Sequence, residues 1–171
     1  MHLDTMAASF RQSAAPFYLI ALLAFAGVGI ALLSQHVFSI PPCAWCVLQR
    51  LIFIVLGLCS LVAGVLRQLG HSGSATLFSL LGLATSVGGV LAAWYQASVA
   101  QHLFSCDQTF ADRFITQSGL ESSLPWLFGI YASCMDARQD LLGIEYAYWS
   151  LGLFVLLGLG LLLTLLTRRR A

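Results

Sequence analysis

Three long stretches of this sequence contain no charged residue. No Asp, Glu, Lys or Arg occurs in residues 12–49, 68–106 or 146–167. The chain as a whole is 59% hydrophobic and 9% charged, whereas roughly 25% of the residues in an average soluble domain are charged. A chain with such long uncharged stretches is suited to a lipid bilayer, and the sequence therefore predicts a membrane protein.

A membrane-spanning helix needs about 20 apolar residues, because it rises about 1.5 Å per residue through a hydrocarbon core about 30 Å thick. Four segments meet this requirement: residues 17–37, 47–66, 75–97 and 149–167. We therefore predict an all-α membrane protein, a four-transmembrane-helix bundle that forms a single membrane domain over residues 1–171. The first apolar segment is longer than the hydrophobic region of a signal peptide, so we predict that it is retained as a helix.

The arginines predict the orientation of these spans. Arg11, Arg67 and the run 168–170 lie near span ends, and short loops rich in basic residues stay in the cytoplasm. Both termini and the turn after Arg67 are therefore predicted to be cytoplasmic. The loops 38–46 and 98–148 then face the opposite, periplasmic side.

The formal net charge of +1 gives no indication of nucleic-acid binding.

Four of the five cysteines fall in the two loops predicted to lie outside the cytoplasm. They are Cys43, Cys46, Cys106 and Cys134. Disulfides form and persist in such oxidising surroundings. The fifth, Cys59, lies within the second span and is predicted to be a small buried apolar side chain.

Cys43 and Cys46 form a C-x-x-C motif at the start of the second span, where the helix dipole favours a nearby anion such as a thiolate. A haem-attachment motif would have a His after the second cysteine, and this chain has Val47. A zinc site usually adds a second close pair, whereas 27 residues separate Cys106 from Cys134. A thioredoxin-like motif accompanies a βαβ pattern rather than two apolar helices. We therefore predict no metal site.

Two readings of the cysteine pairs stay open. In the first, the two pairs form structural disulfides in a non-enzymatic membrane protein, since a Cys106–Cys134 bridge closes a long loop and can stabilise it. A Cys43–Cys46 bridge, in contrast, cross-links almost none of the chain. That pair therefore favours reversible thiol–disulfide exchange.

Arg50 follows Cys46 by four residues and is expected to share its helix face. A cation just inside the membrane is costly, and ionisable residues in spans usually mark a functional site. We predict that Arg50 supports a Cys46 thiolate and stabilises reduced oxygen on an electron acceptor. The alternative is a side chain that extends to the bilayer interface.

Three parts of the sequence resemble the DsbB family, disulfide bond formation protein B, of bacterial inner membranes. They are Pro42-Cys43-Ala44-Trp45-Cys46-Val47-Leu48-Gln49-Arg50, Ser105-Cys106-Asp107, and Cys134-Met135-Asp136 through Leu142-Gly143-Ile144-Glu145 to Trp149. The resemblance covers most of the chain, and these motifs together are highly specific.

The resemblance implies a quinone-dependent protein thiol–disulfide oxidoreductase. The Cys106–Cys134 pair would oxidise a DsbA-like periplasmic thioredoxin-fold protein, with Cys106 forming the mixed disulfide. The Cys43–Cys46 pair would reoxidise the loop pair and pass electrons to membrane quinone, either ubiquinone or menaquinone. Cys46 and Arg50 are then the expected quinone-binding residues.

One departure from the family concerns a His that many members carry near the end of the third helix, beside the quinone. Residues 91–96 contain none. Arg50 alone, or a group such as Gln96 or His102, would then act there, or the chain is a paralogue with a different acceptor or partner. Vitamin K epoxide reductase-like enzymes also use a quinone and two cysteine pairs, but their loop pair precedes the C-x-x-C motif, whereas here it follows.

The loop between the third and fourth spans contains an apolar, aromatic segment at residues 124–131. It is too short to cross a bilayer. Two placements are open: the segment docks on the bilayer surface, or it packs onto the helix ends.

Overall fold

Four long helices dominate the computed structural model, which describes residues 14–100, 109–137, 140–141 and 143–169. They are α1 (Ala15–His36), α2 (Ala44–Gln68), α3 (Ser72–Ser98) and α7 (Tyr146–Arg169). All four are long and apolar enough to cross a membrane. The predicted fold class is therefore confirmed. Each helix begins two or three residues before the segment chosen from hydropathy, because helical backbone continues past the apolar stretch.

Short elements occupy the segment between α3 and α7. They are α4 (Phe110–Gln117), α5 (Leu120–Ser123), α6 (Pro125–Phe128), β1 (Asp140–Leu141) and β2 (Ile144–Glu145). The two strands pair antiparallel, with Asp140 opposite Glu145. Helix α4 begins at a capping box in which Thr109 and Asp112 satisfy each other's backbone N–H groups. Gly119, at φ 71°, makes the turn to α5 in a conformation that favours glycine.

The bundle core lies where α2 packs against α1 and α3, and α3 packs against α7. The rings of Phe53 and Phe154 stack there with their centroids 3.8 Å apart. The Phe154 ring also lies close to α3 at Gly89, where a Cβ atom would clash with the ring. Many leucines on the outer faces are exposed, as expected for side chains that contact lipid. Cys59, on α2, is only partly buried and lies close to Gly82 of α3.

A second apolar cluster covers the first turns of α2. Its buried residues come from α2, from the end of α3 and from the loop helices: Cys43, Ala44, Trp45, Val47, Leu48, Ala92, Ala100, Ala111, Ile115 and Phe128. Phe128 is fully packed in this cluster, whereas Leu124 and Trp126 are exposed. Part of the apolar loop segment therefore packs onto the helix ends. Docking of the exposed part on a bilayer stays a prediction.

Candidate functional site

The C-x-x-C motif forms the N-terminal cap of α2. Cys43 has extended backbone geometry, and its sulfur accepts the backbone N–H of Cys46 at 3.4 Å. This side-chain cap replaces the Ser or Asp more often found at such a position. The two sulfur atoms lie 2.9 Å apart, and both residues are free thiols. Helix capping thus holds the two sulfurs where a disulfide can form and break with little movement.

Cys134, from the far side of the long loop, packs against the apolar cluster that contains Cys43. Hydrogen bonds with Cys134 and Cys46, and then complete burial, raise the pKa of the Cys43 thiol well above its usual value. Cys43 is therefore held as a thiol between two other cysteines. Three of the four predicted redox cysteines come together at one end of the bundle. Cys106, the fourth, lies outside the described residues.

Gln96, near the end of α3, donates to both sulfurs of the motif. Its Nε2 lies 3.2 Å from Cys46 Sγ and 3.7 Å from Cys43 Sγ. Gln96 is one of the groups expected from the sequence to act where the family His is missing, and it lies beside the two cysteines. His102, the other such group, lies outside the described residues.

The sequence analysis did not identify Gln49, whose Nε2 donates to Gln96 Oε1 at 2.6 Å. The sequence feature that could have indicated its role is its position three residues after Cys46.

Arg50 is buried, with only 4% of its surface exposed. One guanidinium nitrogen, Nη1, donates to Gln35 Oε1 at 2.6 Å and to the Leu127 carbonyl at 3.1 Å. Nη2 donates to the Ala31 carbonyl at 3.3 Å. The side chain therefore points into the protein and does not extend to the interface. Its Nε is buried and has no hydrogen-bond partner among the described residues.

A pocket opens beside Cys46 and Arg50. Residues of α1, α2, α3, α7 and the α1–α2 loop line it, among them Gly27, Ala31, Ile40, Pro42, Phe53, Gln49, Gln96 and Tyr146. Mostly apolar walls, a sulfur and a cation fit an apolar molecule that carries oxygen acceptors. A quinone has this chemistry.

The fold and the site together define a class of protein. It is a multi-pass helical membrane protein that gathers cysteines at one end of the bundle, beside a pocket containing a buried arginine.

Comparison with known proteins narrows this class to one family. The sequence model described as disulfide bond formation protein DsbB matches residues 13–164. Disulfide bond formation protein B of Ralstonia nicotianae is 33% identical over 160 residues, which cover 93% of this chain and 98% of the relative. The protein of the same name from Cupriavidus metallidurans is 31% identical over 155 residues, covering 90% and 93%. The chain belongs to the DsbB family, which confirms the resemblance and supports an oxidoreductase role in bacterial disulfide formation.

Proposed function

We propose that this protein oxidises the dithiol of a DsbA-like periplasmic partner and passes the electrons to a membrane quinone. The observation that carries the proposal is the position of Cys43. Cys134 of the loop pair packs against the cluster that contains Cys43, and the sulfur of Cys46, at the wall of the pocket, lies 2.9 Å from the Cys43 sulfur. A sulfur shared in this way is what a relay between two cysteine pairs requires.

The first exchange takes place at the loop. A thiolate of the partner attacks the Cys106–Cys134 disulfide at Cys106, and Cys134 leaves as a thiolate that takes up a proton. The partner's second thiol then breaks the mixed disulfide. The partner gains a disulfide and loses two electrons and two protons, while Cys106 and Cys134 become a dithiol.

The second exchange takes place between Cys134 and the Cys43–Cys46 pair. Cys134 attacks Cys43 of the Cys43–Cys46 disulfide, and Cys46 leaves as a thiolate. Cys106 then attacks Cys134, which restores the loop disulfide and frees Cys43 as a thiol. Two electrons now reside on the pair at the pocket. Because the pKa of the Cys43 thiol is raised, Cys43 takes up a proton once it is freed, and the negative charge stays on Cys46.

At the pocket, Gln96 and Cys43 hydrogen-bond the Cys46 sulfur, and the Arg50 cation lies on the same wall. A bound quinone, ubiquinone or menaquinone, supplies the capacity to accept two electrons and two protons. Arg50 would hold an acceptor oxygen through its guanidinium, and its positive charge favours negative charge that develops there. The apolar side chains exclude water.

The cellular placement is part of the same proposal. The protein lies in the inner membrane of a bacterium. The cysteine end of the bundle faces the periplasm, and both termini and the α2–α3 turn face the cytoplasm. The arginines near the opposite end support this orientation. The order of the cysteine pairs, with the C-x-x-C motif first, favours this family over the vitamin K epoxide reductase-like alternative.

Purified full-length protein in detergent tests the function. A reduced DsbA-like protein and ubiquinone, or menaquinone, are added, and the loss of quinone absorbance is followed. We expect catalytic reduction of quinone with matching loss of partner thiols. Cys46→Ser and Cys106→Ser should each abolish turnover, whereas Cys59→Ser, a control in the middle of α2, should retain it.

The opposite results would support a structural role for the cysteines. Turnover that survives Cys46→Ser or Cys106→Ser would exclude the relay. No reduction of either quinone by the unaltered protein would contradict the proposed function.

A further inference from the structure

Two glutamines form a buried hydrogen-bonded pair between α2 and α3. Gln49 and Gln96 are 4% and 6% exposed, and Gln49 Nε2 donates to Gln96 Oε1 at 2.6 Å. The Gln96 oxygen is thus occupied as an acceptor. Its Nε2 must then be the atom that faces Cys46 at 3.2 Å. Gln49 is therefore the residue that holds the Gln96 oxygen on the side away from the sulfur.

The reverse orientation of Gln96 is unfavourable. It would place Oε1 against the Cys46 sulfur, so that two acceptors would meet when Cys46 is a thiolate. A buried polar group without a partner is costly. The pair therefore presents a fixed N–H donor to the motif.

We propose, on the basis of the function proposed above, that the Gln49–Gln96 pair sets the redox equilibrium of the Cys43–Cys46 pair. Gln96 is the hydrogen-bond donor to the reduced Cys46 sulfur. Gln49 is a positioning residue that acts through Gln96 alone.

The physical reason is a difference in acceptor strength between the two redox states. A thiolate accepts a strong, charge-assisted hydrogen bond, whereas a disulfide sulfur is a weak acceptor. The Gln96 donor therefore stabilises the reduced pair more than the oxidised pair. Stabilising the reduced form makes a disulfide a stronger oxidant, which suits a pair that must reoxidise the loop cysteines.

The test is an equilibrium with glutathione, using full-length protein in detergent with no quinone and no partner. The Cys43–Cys46 disulfide and two glutathione molecules yield the dithiol and one glutathione disulfide. Two electrons and two protons pass to the protein. Rapid alkylation and mass spectrometry of the peptide that carries both cysteines give the reduced fraction.

Gln96→Leu removes the donor and keeps a similar volume. We expect the equilibrium constant for reduction to fall about tenfold, which corresponds to a potential about 30 mV more negative. Gln96→Met, an unbranched side chain of similar length, should shift it in the same direction. Gln49→Leu should give a smaller shift of the same sign, although Gln49 has no hydrogen bond to either sulfur.

The double variant distinguishes positioning from a general structural effect. Once Gln96 is Leu, Gln49→Leu should change the equilibrium no further, because Gln49 acts only through Gln96. Gln68→Leu is the matched control. It removes a glutamine at the far end of α2 that accepts a hydrogen bond from Tyr18, and the equilibrium should not move.

An unchanged equilibrium in both folded Gln96 variants would overturn the proposal. Additive effects of the Gln49 and Gln96 changes would overturn the role of Gln49. The measurement contains no quinone, so failure of quinone reduction and failure of this proposal are seen separately. A shifted equilibrium supports the glutamine pair even if the acceptor proves to be another molecule.

Discussion

The Arg50 guanidinium donates a hydrogen bond of 3.1 Å to the main-chain carbonyl of Leu127, 77 residues further along the chain. Leu127 lies in α6, between the two cysteines of the loop pair. A neighbouring contact places His36 Nε2 3.0 Å from the Trp126 carbonyl oxygen. The wall of the pocket and the loop that carries Cys134 are therefore joined through one cation.

Replacing Arg50 should weaken quinone binding and loosen the loop. Removal of a hydrogen bond to a charged group costs about 1.5–3 kcal/mol, so Arg50→Met should raise the KM for ubiquinone roughly 10- to 100-fold. Limited proteolysis should cleave the α5–α6 region faster. Arg67→Met, at the other end of α2, is the control. An unchanged KM and turnover for Arg50→Met would contradict a role of Arg50 at the acceptor.

The packing of Cys134 against the cluster that contains Cys43 predicts a specific cross-link. In a Cys46→Ser/Cys106→Ser protein, mild oxidation should yield a Cys43–Cys134 disulfide in high yield, because Cys134 lies beside this cluster. The matched Cys43→Ser/Cys106→Ser protein, which leaves Cys46 and Cys134, should cross-link more slowly. Peptide mapping measures both. Equal yields in the two proteins would show that Cys43 is no better placed than Cys46 to react with Cys134.

Phe128 and Trp126 lie two residues apart in α6 but differ in burial, at 3% and 54% exposed. Phe128→Ala should lower the free energy of unfolding by about 3 kcal/mol, because it leaves a cavity in the cluster around Cys43. Trp126→Ala should change it by less than about 0.5 kcal/mol in detergent. Unfolding monitored by thiol accessibility provides the comparison. Similar losses for both would mean that the loop does not pack as described.

Two adjacent glycines in α3 test the packing of the bundle. A Cβ atom at Gly89 would lie 2.4 Å from the Phe154 ring, whereas one at Gly88 would meet nothing within 4 Å. Gly89→Ala should destabilise the protein by about 1–3 kcal/mol through overpacking. Gly88→Ala should be neutral or stabilise it by up to about 1 kcal/mol, as alanine favours a helix. Thermal unfolding in detergent gives both values, and a stable Gly89→Ala protein would exclude the close approach of α3 and α7.

Much of the fold was predictable because its cause is local. Runs without charge in residues 12–49, 68–106 and 146–167 leave few structures other than membrane helices. The short helices of the loop were not predicted. Their signals are brief, such as the capping box at Thr109 and Asp112, and they form against a surface that α2 and α3 create.

The site was predictable where spacing along a helix decides it. Cys46 and Arg50, one turn apart, line the same pocket. The partners of Arg50 and the pairing of Gln49 with Gln96 depend on contacts between segments far apart in sequence. No periodicity specifies such contacts. A buried glutamine and a surface glutamine look alike until the helices are placed together.

A single turnover of the isolated pocket pair tests the central claim most directly. Cys106→Ser/Cys134→Ser protein, which keeps Cys43 and Cys46, is reduced, freed of reductant and mixed with ubiquinone. The account predicts about one quinol formed per protein chain, with both remaining motif thiols becoming a disulfide, and no quinol when Cys46→Ser is added. Absence of quinol from the Cys43–Cys46 protein, or its formation without Cys46, would contradict the transfer of electrons from this pair to the pocket.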